Sequence, residues 1–180
     1  MPNEQEEDIR AHIAPVSIEA WQADGLGDAL ASADLELLLK EAPDEDGSAS
    51  AGLDVTSSAA HVYEEAVRLM GAGDTNGARQ LFRLLKAHSP LENIGVFGLL
   101  TLAAHEEDFD TALSLANELI ENDCRIPRVY LIAGYSALQL KQTKYAKRYY
   151  ALASRLARKN PAYRDEQRAV QRELLMLQFA

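Results

Sequence analysis

The chain has 180 residues, 47% of them hydrophobic and 26% charged, with a net charge of -10. That balance is the one of a globular domain or short repeat array with a sizeable core. It excludes a general nucleic-acid binder, which needs a basic footprint, and the lone Cys124 excludes both a disulfide scaffold and a cysteine-rich zinc site.

The N-terminus reads Met1-Pro2-Asn3-Glu4-Gln5-Glu6-Glu7-Asp8. A secretory signal needs a basic start and an apolar stretch, so this one predicts a cytosolic chain. No apolar run approaches the ~20 residues that span a bilayer, and no direct membrane insertion is expected. Residues 1–15 lack periodicity and are expected to be disordered. From 16 to 41 Ile18, Trp21, Leu26, Leu30, Leu35, Leu38 and Leu39 recur at helical spacings, interrupted by Gly25 and Gly27. This predicts an N-terminal helical segment whose apolar face packs on the rest of the chain or on a second copy. Residues 42–56 are small, acidic and turn-forming, and read as a flexible linker.

From Ser57 the composition changes to Ala, Leu, Arg and Tyr, with apolar spacings of three and four and no sustained alternation. Punctuation at Gly71–Asp74, Ser89-Pro90, Asp123–Pro127 and Asn160-Pro161 divides this part into seven predicted helices: 58–71, 74–87, 91–105, 108–121, 127–139, 142–158 and 161–178. The first six pair up with a fixed period. Ala78, Ala112 and Ala146 stand 34 residues apart in each step. The same shift aligns Ala66 with Leu100 and Gly134, Phe82 with Ala116 and Tyr150, and Leu85 with Leu119 and Ala153. It also aligns Val62 with Val96 and Tyr130, and Leu69 with Ala103 and Ala137. A 34-residue period with small residues where two helices cross is the tetratricopeptide signature. The predicted fold is all-α: three tetratricopeptide helix pairs over 57–160 in a short superhelix, with 161–180 as a covering helix.

In such a repeat the first helices line the concave face. With the three alanines at repeat position 20, position 2 holds Ala60, Ile94 and Arg128, and position 5 holds Tyr63, Phe97 and Leu131. Position 9 holds Val67, Thr101 and Tyr135, and position 12 holds Met70, Ala104 and Leu138. Apart from Arg128 this is an uncharged, aromatic-rich groove, suited to an extended apolar segment of a partner protein. The competing reading makes these residues core, as tyrosine and phenylalanine at helical spacing often are.

Charge is unevenly spread: residues 1–58 carry -12, residues 59–124 carry -7 and residues 125–180 carry +9. The basic end is either a partner surface or a solvated face that balances the acidic N-terminus. No catalytic or metal site is expected. His12, His61, His88 and His105 have no ligand spacing, and Gly71-Ala72-Gly73 follows a helix, where a phosphate loop would follow a strand. The chain is therefore read as a non-enzyme without cofactor or metal.

Residues 53–176 resemble the class II chaperones of bacterial type III secretion systems, small tetratricopeptide proteins. The resemblance is carried most by Ile126-Pro127-Arg128-Val129-Tyr130-Leu131-Ile132-Ala133-Gly134-Tyr135-Ser136-Ala137-Leu138. Ala151–Ala157 and Pro161-Ala162-Tyr163 are similar to the end of the family's third repeat and its final helix. The resemblance implies a bacterial cytoplasmic chaperone that holds membrane-inserting translocator proteins soluble before export. It implies partner-binding residues at Tyr63, Val67 and Met70, and a homodimer through the N-terminal segment around Trp21. The long acidic linker after Lys40 departs from the family pattern. Two other roles suit the same residues: a chaperone of the needle subunit, and a repeat scaffold that docks a transcription regulator through its basic C-terminal face.

Overall fold

A computed structural model describes residues 49–88 and 91–178, with side chains from Ala59 onward. The expected tail (1–15), the helical segment 16–41 with Trp21, its dimer, and the first part of the linker lie outside the described residues. Among those described there is no strand. Seven α-helices follow one another: α1 (Ala49–Gly71), α2 (Thr75–Lys86), α3 (Glu92–His105), α4 (Phe109–Glu121), α5 (Pro127–Gln139), α6 (Thr143–Ala157) and α7 (Arg164–Met176). A 3-10 turn, Pro161–Tyr163, leads into α7.

One boundary differs from expectation. Helix α1 begins at Ala49, inside the stretch read as linker over 42–56. Ala49 and Ala51 are strong helix formers, and a helix nucleated further on extends backward at one hydrogen bond per residue. Turn-forming composition alone does not stop it.

Each helix packs on the next, and the first helices of successive pairs also touch: α1 on α3, α3 on α5, and α5 on α7. That is a stack of hairpins closed at one end by α7. The aligned positions form its core. Ala78, Ala112 and Ala146 are fully buried, as are Phe82, Ala116 and Tyr150. Helix α3 is apolar on every side, and nine of its residues, from Ile94 to Ala104, are buried. A helix hydrophobic all round must be covered all round, which the middle position in the stack provides.

Glycines mark the closest approaches. A Cβ at Gly98 would overlap the Phe82 ring, and one at Gly95 would overlap the backbone at Lys86, so α3 lies directly against α2. A Cβ at Gly134 would stand 2.6 Å from the Tyr150 ring, which fixes α5 against α6. The phenylalanine one turn after Ala78 thus fills the space to the following pair.

The period also appears in the backbone of the turns. Gly73, Glu107 and Lys141, 34 residues apart, each have positive φ (84°, 59° and 61°). Each is followed by a six-residue hydrogen-bonded closure: Asp74 N to Leu69 O, Asp108 N to Ala103 O, and Gln142 N to Ala137 O. This left-handed cap satisfies the last carbonyls of the first helix and reverses the chain. Asp74 and Asp108 then cap the second helix by accepting from Gly77 N and Thr111 N, whereas Gln142 makes no such side-chain bond. Asp123 repeats the left-handed turn at the end of α4.

Candidate partner-binding groove

The ten residues expected to bind a partner all lie on α1, α3 and α5, the helices that touch along the inner side of the stack. They separate into two groups. Tyr63, Ile94, Phe97, Arg128, Leu131 and Tyr135 are buried within the chain, and Val67, Met70, Thr101 and Leu138 are half-buried.

The buried group is occupied by the fold. The Tyr63 ring packs on Phe82 of α2 with centroids 5.5 Å apart. Tyr135 meets Phe109, the first residue of α4, edge-on at 5.6 Å. Position 5 therefore points toward the seam between helices and works as core. For Tyr63, Ile94, Phe97, Leu131 and Tyr135 the competing reading, in which these residues are core, describes the fold. Phe109 was absent from the sequence reading: it stands at a helix start, outside the first helices. Its aromatic type directly after the Asp108 cap was the available signal.

Arg128 is also not a free groove cation. Its Nη2 donates to Glu166 Oε1 at 2.7 Å, with both side chains almost fully enclosed. Glu166 belongs to α7, so this pair fastens the covering helix to the third repeat. A buried pair of this kind fixes geometry more than it adds stability, because both charges lose their hydration.

Behind the pair α7 brings a second buried carboxyl, Glu173, close to the Tyr150 hydroxyl. Burial pushes the Glu173 carboxyl above the ordinary carboxylate range, against the opposing pull of Arg172 and Tyr150. Burial likewise pushes the Tyr150 phenol well up, helped by the charge of Glu173. The arrangement favours a neutral acid beside a neutral phenol.

What remains open along the inner side is a strip of small and flexible apolar groups: Ala60, Val67 and Met70 on α1, Thr101 on α3, Leu138 on α5. Thr101 Oγ1 donates back to Phe97 O at 3.0 Å, so its hydroxyl is satisfied within the helix. Thioether and aliphatic groups of this sort repack around varied apolar side chains. The outer helices are joined differently, by polar contacts: Lys86 Nζ to Glu118 at 2.6 Å, and Tyr149 Oη donating to Asn117 Oδ1 at 2.7 Å.

No group of three or more metal-ligating side chains converges among the described residues. No described helix is long and apolar enough to cross a membrane.

Two solved structures superpose on this arrangement. The crystal structure of PcrH in complex with the chaperone binding region of PopB matches at a TM-score of 0.59 and 21% identity, over 64% of this chain and 94% of that one. A T3SS complex from Aeromonas hydrophila matches at 0.63 and 21%, over 80% and 94%. The chain has their fold. The all-α repeat architecture read from the 34-residue period is therefore found. No protein-family model and no curated protein matches the chain.

Proposed function

We propose that this chain is a class II type III secretion chaperone that binds an extended apolar segment of a secreted translocator along the inner side of its helical stack. The observation that carries the proposal is the fold shared with a protein solved in complex with the chaperone binding region of PopB. The strip of half-buried apolar side chains on the first helices supports it. The mechanism is occupancy without chemistry. A translocator must insert into a membrane after export, so its apolar segments aggregate or insert early if left exposed. Covering one of them in a groove keeps the partner soluble, and the groove gains the free energy of burying that surface. Cytoplasmic residence and the lack of enzymatic activity follow from this role.

The affinity-determining residues are Val67, Met70, Thr101 and Leu138, which present surface to a ligand. The buried Tyr63, Ile94, Phe97, Leu131 and Tyr135 hold the wall behind them. The test is co-purification with a candidate translocator, followed by titration calorimetry with peptides tiled along it. Met70→Glu and Leu138→Glu place charges in the strip and should each weaken binding by roughly tenfold or more, about 1.4 kcal/mol, with unchanged melting temperature. Normal binding by both variants would remove the inner side as the site. A needle subunit or a transcription regulator as the stoichiometric partner would replace the translocator assignment altogether.

A further inference from the structure

Helix α6 presents a face that neither the core nor the proposed groove uses. Its core side is Ala146, Tyr150, Ala153 and Ala157, and on the opposite side Lys144, Lys147, Arg148 and Arg155 are all exposed. None of these four makes an ion pair within the described residues. Lys144, Arg148 and Arg155 follow one another at steps of four and seven, and Lys147 and Arg155 stand four residues either side of the exposed Ala151. All five therefore share one helix face about 16 Å long. The repeat itself does not call for this charge. One period earlier, on α4, the positions of the four bases hold Asp110, Leu113, Ser114 and Glu121. Arg68, Arg79 and Lys86 of the first two repeats are each paired with a glutamate. Residues 125–164, by contrast, contain ten Lys and Arg and no Asp or Glu, so nothing local in the sequence neutralises the face.

The charge that complements it is anionic, and the shape of the face selects among anions. Duplex nucleic acid carries a charge every ~1.7 Å and continues past the end of so short a face. Beyond it lie the first two repeats, with twelve acids against four bases over 49–124, which repel a long polyanion. An anionic bilayer holds basic helices that also insert an apolar face, and Tyr145 is the one large apolar side chain exposed on α6. A short acidic helix meets the face alone. Carboxylates at helical spacing come opposite bases at the same spacing, and Ala151 leaves the middle of the face low enough for a second helix to settle between the flanking bases. Tyr145, 53% exposed with the Arg148 guanidinium 6.0 Å from its ring centre, supplies an apolar contact at one edge. We propose that the outer face of α6 docks an acidic amphipathic helix of a partner protein, through Lys144, Lys147, Arg148 and Arg155 around Ala151. The face is on an outer helix, whereas the apolar strip is on the first helices, so both can be filled at once. The inference does not depend on the proposed function.

The probe is a synthetic alanine-rich peptide of about twenty residues, long enough to be helical, with glutamates at steps of four and seven along one face. Its control has the same composition with the glutamates spread around the helix. In fluorescence anisotropy with the full chain at about 50 mM salt, the striped peptide should bind about tenfold or more tighter than its control, and about 0.5 M salt should abolish the binding. Lys144→Glu with Arg148→Glu should weaken binding by about tenfold or more. Arg83→Glu with Arg164→Glu reverses two exposed bases off this face, changes the net charge equally, and should weaken it by less than about threefold. Carbodiimide coupling, which joins an amine to a carboxyl only in contact, should link Lys144 or Lys147 to the peptide, as read by mass spectrometry. Equal affinity for the two peptides, or equal losses from the two double variants, would overturn the inference. Coupling of the two lysines only to carboxyls of their own chain would overturn it too, as would tighter binding of a short DNA duplex or of phosphatidylserine vesicles than of the striped peptide.

Discussion

In the first repeat α1 buries Ala59, Tyr63 and Ala66 and leaves Val62, Val67, Leu69 and Met70 half-exposed. In the third repeat every residue of α5 from Pro127 to Ala137 is buried. Both helices occupy the same place in the same repeat. The difference lies in their neighbours: α5 is enclosed by α3, α4, α6 and α7, whereas the described residues provide α1 mainly with α2 and α3. Repeat position thus sets where a side chain points, and the stack decides whether it meets protein or an opening. The covered end is fastened by the buried Arg128–Glu166 pair, and the uncovered end is where apolar surface is left half-exposed.

The largest expected effect breaks the lock at the covered end. Glu166→Ala leaves Arg128 buried without the carboxylate that neutralises it. Such a loss costs about 3 kcal/mol or more, and the urea midpoint should fall accordingly. A double change, Arg128→Met with Glu166→Leu, removes both charges and should recover most of the loss. At the uncovered end the pair Arg68–Glu65 is exposed, and Glu65→Ala should leave the midpoint within a few tenths of a kcal/mol. Similar losses at both ends would mean that α7 is not held by the buried pair.

Glycines sharpen the same contrast at a smaller scale. Gly134 faces the Tyr150 ring, whereas Gly71, at the end of α1, has nothing within 4 Å of a built Cβ. Gly134→Ala should overpack α5 against α6 and cost ~1–3 kcal/mol. Gly71→Ala should be neutral or stabilise slightly, through lower freedom of the unfolded chain. Thermal melts of the two variants are sufficient. An unchanged melting temperature for Gly134→Ala would show that α5 and α6 can separate at no cost.

The two ends should also respond oppositely to pH. The Glu65 carboxyl is held below its ordinary 4.5 by the hydrogen bond from Arg68. Burial raises that of Glu173 above 4.5, with Tyr150 and Arg172 as its facing groups. A folded group that keeps its proton while the unfolded one releases it loses stability as pH rises. Stability from Glu173 is therefore greatest below about pH 4.5 and declines above it, until the folded carboxyl also ionises. Glu173→Gln should flatten the dependence of the urea midpoint on pH from 4.5 upward and leave the variant relatively more stable at neutral pH. A parallel dependence in the two proteins would mean that Glu173 is ionised in the fold. Carboxyl titration by NMR should place Glu65 below and Glu173 above the usual value.

The helix pairs were legible in the sequence because their signal is local and repeated. Ala78, Ala112 and Ala146 recur at a fixed step, and each is fully buried. Helix ends near Gly71 and Glu121 were legible from punctuation; the start of α1 was not, because Ala49–Gly52 carries both helix-forming and turn-forming residues. The division of the inner side was the least legible. Tyr63 and Val67 differ by one helical turn, and which of them is covered depends on Phe82 of the next helix. The partner of Arg128 lies 38 residues away on a helix outside the repeat, where no periodicity could point to it.

The smallest expected effect concerns a turn that the sequence also concealed. In the first repeat the left-handed position is Gly73, at φ 84°, and in the third it is Lys141, at φ 61°. A side chain in this region crowds its own carbonyl, at a cost of ~1–2 kcal/mol that glycine does not incur. The hydrogen bond from Gln142 N to Ala137 O requires the conformation regardless. Lys141→Gly should then stabilise the third repeat, with the relieved strain partly offset by the greater freedom of glycine in the unfolded chain. The expected net gain is ~0.5–1 kcal/mol, a rise of a few degrees in melting temperature. Gly73→Ala should lose a similar amount in the first repeat. Lys141 is exposed and makes no ion pair within the described residues, so the charge change itself removes no internal contact. Should Lys141→Gly destabilise the chain instead, the third turn is held by its lysine, and the two turns are equivalent in shape but not in what sustains them.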